Sequence, residues 1–242
     1  MSQFSSTPRL TAELVDMVER TEPDPGPEKG TIEHSPEDFD KIAEALLSEY
    51  CPDTLWVFAY GSLIWNPEFE YTLVEQATAK NWHRSFCLKL TRWRGTRELP
   101  ALMLALDRGG TCVGNAYALL EDNHKSQIVR LLEREIDANP PTNVPRWIDV
   151  ETARGVLKAL TFIADPTGPA YAGNLSGDRV AWVLARAAGH WGSSARYLYN
   201  TFTMLETKGI HDESIWELQE LVAQEIIDLC RIKTGEDDLS PG

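Results

Sequence analysis

Hydrophobic and polar positions change period twice along this chain. Residues 1–33 contain polar, acidic and proline-rich sequence (TEPDPGPEKG) that cannot bury much apolar area, and they predict an extended or disordered arm. Ser35-Pro36-Glu37-Asp38 then opens a helix to about Tyr50, with Ile42, Ala45 and Leu46 on one face. Residues 55–60 (LWVFAY) form a nearly continuous apolar run, the pattern of a strand buried on both faces. Strand-like segments follow at 71–79, 82–90, 100–106 and 112–120; in WHRSFCLKL, Trp82, Arg84 and Phe86 alternate with His83, Ser85 and Cys87. Residues 123–137 switch to helical spacing, two further strands are expected at 146–151 and 156–164, and helices at about 177–190, 193–207 and 212–231. Many strands followed by several helices, with no βαβ alternation, predict an α+β domain over 34–232 with one mostly antiparallel, barrel-like sheet. The polar stretch 233–242 is expected to be a flexible tail.

Two segments carry candidate chemistry. In the first, a buried strand runs through Tyr60 into Gly61-Ser62-Leu63-Ile64-Trp65-Asn66-Pro67. A glycine at a strand end lets the backbone turn sharply and approach a ligand, and successive amide groups there can hold an anion. The same residues also suit a plain strand-to-loop turn, and Gly-Ser-Leu is not the G-x-S-x-G elbow of hydrolases. In the second, at about 100° per residue, Ile128, Val129, Leu131, Leu132 and Ile136 share one helix face, and Glu135 falls inside that arc between Leu131 and Leu132. Glu133 lies just outside the arc and Arg134 points away. A carboxylate on a buried face is costly unless it is paired or has a task, and burial raises its pKa toward the range a general acid/base needs. Pairing with an arginine such as Arg84 or Arg94 is the purely structural alternative. Arg92, Arg94 and Arg97 cluster with Trp93 between two strand-like segments, where they suit either a small anionic ligand or ordinary solvation. Trp56, Trp82 and Trp182 are expected in the core, and Trp65 and Trp93 beside these loops.

Charge narrows the function classes. The 242 residues carry a net charge of −14, with 12 acidic and 4 basic residues in 1–50 and 10 acidic and 3 basic in 206–242, so the acidity sits at the two ends. Such a chain is repelled by phosphate backbones, which argues against nucleic acid as its partner. No apolar run approaches the roughly 18 residues of a membrane helix, so no membrane insertion is expected. MSQFSSTPRL lacks a basic start followed by an apolar stretch, so a secretory signal is not expected either. Cys51, Cys87, Cys112 and Cys230 show neither a Cys-x-x-Cys nor a zinc-finger spacing, and a reducing, cytoplasmic location fits them best.

The run Phe58-Ala59-Tyr60-Gly61-Ser62-Leu63-Ile64-Trp65-Asn66-Pro67 resembles the opening motif of the ChaC-type γ-glutamylcyclotransferases. The resemblance continues in order through Trp82–Cys87, Arg94-Gly95-Thr96, Leu106–Gly110, Arg134-Glu135, Ala159–Phe162 and Tyr197-Leu198, and so spans roughly residues 54 to 220. It implies the γ-glutamylcyclotransferase-like fold, a small barrel-like sheet with surrounding helices. It also implies a lyase that converts a small-molecule substrate, glutathione, to 5-oxoproline and cysteinylglycine with neither a metal nor an organic cofactor. On this resemblance Glu135 is the catalytic residue, and Tyr60, Gly61, Ser62, Leu63 and Tyr197 bind substrate; Arg94, from the basic loop cluster, joins them as a candidate for binding an anionic substrate. After Glu135 the chain reads Ile-Asp-Ala-Asn-Pro-Pro, where glutathione-acting relatives often carry a Gly-Tyr stretch. Two alternatives remain open here: cyclotransfer on other γ-glutamyl amino acids or amines, and a non-catalytic γ-glutamyl-binding module linked to cation transport.

Overall fold

The computed structural model describes residues 7–28, 30–120, 123–136 and 138–234. Its first elements are α1 (Ala12–Asp16), β1 (Ile32–Glu33), α2 (Pro36–Glu49), β2 (Trp56–Ala59), α3 (Ser62–Trp65), β3 (Tyr71–Leu90), β4 (Ala101–Leu119) and α4 (His124–Glu135). They are followed by β5 (Ala138–Asn139), β6 (Asn143–Thr152), β7 (Gly155–Ala164), α5 (Gly177–Leu184), β8 (Ala188–Gly189), β9 (Gly192–Ser193), α6 (Ser194–Thr207) and α7 (Glu213–Thr234). The chain divides into two compact units, one formed by Pro27–Lys89 and Met103–Asn174, the other by Met1–Gly26, Leu90–Leu102 and Leu175–Gly242. The domain expected over 34–232 therefore draws on both.

The first unit holds a closed five-stranded barrel in the order β2-β4-β3-β6-β7. β2 lies antiparallel to β4 (Trp56↔Ala118 to Ala59↔Asn115) and parallel to β7 (Val57↔Leu160), while β6 and β7 form a full hairpin from Asn143↔Ala164 to Thr152↔Gly155. With strands on both sides, β2 has no solvent face, so Val57, Phe58 and Ala59 are all fully buried, as the unbroken apolar run predicts. The segments 71–79 and 82–90 are one strand. Asn81 takes a left-handed backbone (φ 64°) and bends the ladder without ending it. The segments 100–106 and 112–120 merge likewise, because Gly109 and Gly110, at φ 102° and 67°, carry β4 through a bend where their residue type suggests a turn. Helix α2 begins at a Ser35–Asp38 capping box and packs on α4, with Lys125 paired to Asp40 and Glu44.

In the second unit α5, α6 and α7 pack on one another. Helix α5 stops at Leu184, short of the expected 190. The chain there enters the β8–β9 hairpin, where Gly189 is required because a Cβ would lie 2.3 Å from the Trp93 carbonyl oxygen. The arm is not wholly extended: Thr11 caps α1, and Leu10, Val15 and Val18 are buried where the segment packs against α6 and α7. The apolar residues that supply that anchorage lie in one short stretch, 10–18, of an otherwise acidic and proline-rich segment. The first six residues of the arm, and the tail from 235 onward, lie outside the described residues. Among the described residues no helix is long and apolar enough to cross a membrane. Cys87 and Cys112 are buried, Cys51 is exposed and Cys230 is half-buried.

Candidate active site

The barrel fixes the end of β2 through its backbone. Thr161 Oγ1 donates to the Phe58 carbonyl oxygen (2.9 Å), and the Tyr60 hydroxyl donates to the Phe162 carbonyl oxygen (2.8 Å). Arg84, only 4% exposed, donates through Nε to the Tyr60 carbonyl oxygen (2.7 Å) and through Nη2 to that of Val113. Gly114 lets β4 approach, since a Cβ there would lie 2.3 Å from the Ala59 carbonyl oxygen. The chain turns at Gly61 and enters α3, in which Ile64 N donates to Gly61 O (2.9 Å) and Asn66 N to Ser62 O (2.8 Å). The Ser62 and Leu63 amides thus precede the first intrahelical bond, in the position where a helix start offers donors. Leu63 and Ile64 are buried and anchor the turn, whereas Ser62 is half-buried.

Glu135 occupies the last position of α4, on the face that buries Ile128, Leu131 and Leu132, and its side chain is 17% exposed. Arg134 does not point away. Its long side chain folds back to place Nε 3.0 Å from Glu135 Oε1 and Nη1 3.1 Å from Glu68 Oε2. Asn66 Nδ2 donates to Glu68 Oε1 (2.6 Å), so a line of polar contacts runs from Glu135 through Arg134 and Glu68 to the residue that follows α3. The partner of Glu135 is therefore its own neighbour, not an arginine of the strands. Burial raises the Glu135 pKa above the ordinary carboxylate value; Arg134 opposes the rise and Glu68 adds to it. Glu133 is exposed, as expected. Just beyond, the backbone of Ala138–Asn139 pairs with Ile32–Glu33, so the stretch that departs from the Gly-Tyr pattern is tied to the chain preceding α2.

Arg94 and Tyr197 fall in the second unit, and it brings them together. The Arg94 guanidinium stacks on the Tyr197 ring (5.5 Å to the centroid), and Nη1 donates to the Ser193 carbonyl oxygen (3.1 Å). Burial lowers the Arg94 pKa, against the charges of Tyr197 and Glu19. Tyr197 is buried in α6, one turn from its Ser193 cap. Trp93 stacks on Trp191 and His190, with centroids 4.3 and 4.9 Å away, and Arg92 covers its ring.

Sequence reasoning did not single out Arg84, Glu68 or Asn66 as site residues. For Arg84 a signal existed: a charged residue on the same alternation as Trp82 and Phe86. Glu68 gave none, because its left-handed backbone (φ 54°) and its pairing exist only in the fold.

Residues 55–225 match the family described as ChaC-like protein. The chain belongs to the ChaC-like family. A glutathione-specific γ-glutamylcyclotransferase of Escherichia coli is 36% identical to this family member over 165 residues, which cover 68% of this chain and 71% of the bacterial one. The mouse glutathione-specific γ-glutamylcyclotransferase 1 is 28% identical over 161 residues, covering 65% of this chain and 72% of its own. The crystal structure of the yeast γ-glutamylcyclotransferase specific to glutathione superposes with a TM-score of 0.64 at 20% identity, over 72% of this chain and 97% of that one. That likeness establishes the γ-glutamylcyclotransferase-like α+β fold of this ChaC-like chain. Among the described residues no group of three or more His, Cys, Asp or Glu side chains is placed to hold a metal ion.

Proposed function

We propose that this ChaC-like protein is a lyase that cleaves glutathione to 5-oxoproline and cysteinylglycine, with Glu135 as its acid/base. The observation that carries this is Glu135 itself: a largely buried carboxyl with a raised pKa, joined by Arg134, Glu68 and Asn66 to the glycine turn after β2. Relatives that bear the name glutathione-specific γ-glutamylcyclotransferase support the substrate.

Near neutral pH the γ-glutamyl α-amine is an ammonium ion and not a nucleophile. Glu135 takes one proton from it, and the freed nitrogen attacks the δ-carbonyl carbon of the same residue. A five-membered lactam closes. The ring nitrogen gives up its second proton as the bond from that carbon to the cysteine nitrogen breaks, and the departing amine takes that proton and the one held by Glu135, leaving as an ammonium ion. No water is consumed. Because the reaction is intramolecular, the protein has to fold the substrate and move protons. The Gly61–Leu63 amides stabilise negative charge on a substrate oxygen, and Tyr60 holds that turn through its hydroxyl and carbonyl. Tyr197 binds substrate in the role the family resemblance gives it, and the Arg94 cation beside it suits an anionic part of that substrate. The spacing of the four cysteines, neither Cys-x-x-Cys nor zinc-finger, supports a reducing, cytoplasmic location, and the net charge of −14 speaks against a nucleic-acid partner.

The altered stretch 136–141 favours a second reading, in which the substrate is another γ-glutamyl amino acid or amine. Incubation with glutathione and with γ-glutamyl-alanine, followed by quantification of 5-oxoproline and glutamate, tests both. Equal yields of 5-oxoproline and cysteinylglycine from glutathione support the first. Turnover of γ-glutamyl-alanine alone supports the second, release of glutamate indicates hydrolysis, and saturable binding without any product indicates a non-catalytic module.

A further inference from the structure

The acidic segment ahead of the family match is fastened to the rest of the second unit at successive points. Arg9 donates to Gln224, and the Leu10 amide donates to Gln219 Oε1 (2.8 Å), Gln219 being fully buried. Arg20 donates to the Arg186 carbonyl oxygen, and the Glu22 amide to that of Gly189 (3.2 Å). Asp24 takes a two-pronged contact from Arg92, with both oxygens at 2.8 Å, and that contact holds its pKa down to about 2. Residues 9–24 are thus a strap and not a solvated tail.

At the centre of the strap is Glu19, whose side chain is 30% exposed. Its Oε1 accepts the Ser193 amide (3.0 Å), and its Oε2 accepts the Ser193 hydroxyl (2.7 Å) and Arg196 Nε (3.3 Å). Ser193 is the N-cap of α6, the helix that carries Tyr197, and its carbonyl oxygen receives Arg94 Nη1. One carboxylate therefore fixes the residue from which both proposed substrate-binding side chains are held. The neighbouring backbone is shaped for it. Gly192 has φ 93°, and a Cβ there would lie 2.5 Å from Glu19 Oε1 and 3.8 Å from Arg94 Nη1, so any other residue would displace the carboxylate.

We propose that Glu19 is a positioning residue for substrate binding: through Ser193 it holds Arg94 and the start of α6 in the geometry that grips the substrate. This assigns the acidic arm a part in the reaction, and it rests on the proposed function of the site. Three roles are distinguishable. Positioning requires both the charge and the reach of Glu19. A purely electrostatic role requires the charge alone, and removing it would strengthen the field of Arg94 toward an anionic substrate. A purely structural role changes the amount and melting temperature of folded protein but not the affinity of what is folded.

The test uses the full chain, with Glu19→Gln (shape kept, charge lost) and Glu19→Asp (charge kept, reach shortened), and with Asp24→Asn as a variant of a different fastening point. Initial rates of 5-oxoproline formation from glutathione are fitted for KM and kcat beside thermal melts. Both Glu19 variants are expected to raise KM about tenfold, the weight of one charge-assisted hydrogen bond, with kcat within about twofold of the parent. Asp24→Asn, which loosens the neighbouring Arg92, is expected to raise KM by a smaller factor. The inference is overturned if the Glu19 variants melt lower but keep the parental KM, or if Glu19→Asp keeps it while Glu19→Gln lowers it. Should the parent itself make no 5-oxoproline from any γ-glutamyl compound, the proposed function fails first, and failure of the strap's role is distinguished by an active parent with unmoved KM in both variants.

Discussion

Replacing Arg134 by glutamine separates the two forces that set the Glu135 pKa. Burial raises it and the adjacent guanidinium restrains it. With the charge centres about 4 Å apart and an effective dielectric of about 20, the pair is worth at most about 4 kcal/mol. Both side chains are 17% exposed and Arg134 also serves Glu68, so about a third of that is expected to survive screening and sharing. That third, about 1.4 kcal/mol, corresponds to roughly one pKa unit. The sign follows from the chemistry. Glu135 has to be a carboxylate to accept the ammonium proton, so activity is lost as pH falls through its pKa in the folded protein, and a higher pKa moves that loss to higher pH. In Arg134→Gln the acid limb of kcat/KM is therefore expected to rise by about one unit, since the unbalanced Glu68 charge acts in the same direction. Initial rates of 5-oxoproline release from about pH 5 to about pH 9 measure it. Arg134→Lys restores a positive charge and is expected to recover much of the shift. Arg134→Gln also leaves a buried carboxylate unpaired, so its stability at neutral pH is expected to fall by about 2 kcal/mol, a melting temperature roughly 6 °C lower. An acid limb that stays in place, or moves to lower pH, refutes the proposed coupling.

Two further outcomes test how the barrel supports the site. Gly114→Ala drives a methyl group into the Ala59 carbonyl and the Phe58 ring, and it is expected to destabilise the protein by about 3 kcal/mol and lower activity, read from urea melts and rates together. Burial pushes the Cys87 thiol up to about 11 and Cys112 is also enclosed, whereas Cys51 is exposed. Native alkylation followed by mass measurement is expected to label Cys51 within minutes and to leave Cys87 and Cys112 unlabelled until denaturant is added.

Periodicity made much of the barrel legible. The LWVFAY run announces a strand with neighbours on both sides, and the 143–164 region reads as two strands because its hydrophobic alternation survives in the hairpin. Bends hid the rest. Lys80-Asn81 and Asp107–Gly110 look like turns, yet each is absorbed within a long strand by residues with left-handed backbone. Glu135 was legible because a charge on an apolar helix face is costly anywhere. Its environment was not, because Arg134, one residue away and formally on another face, reaches back along its own methylenes. The arm misled for a related reason: its acidic residues look like solvent-facing charge until Ser193, Arg196 and Arg92, distant in sequence, meet them.

In the proposed reaction Glu135 shuttles the proton. Glu135→Gln keeps the side chain's shape and removes a carboxylate that is costly to bury, so the variant is expected to melt no lower than the parent at pH 7. Mixed with glutathione, it is expected to release 5-oxoproline at least about a thousandfold more slowly than the parent, the scale of a lost general acid/base. A folded Glu135→Gln protein that made 5-oxoproline at the parental rate would contradict the assignment.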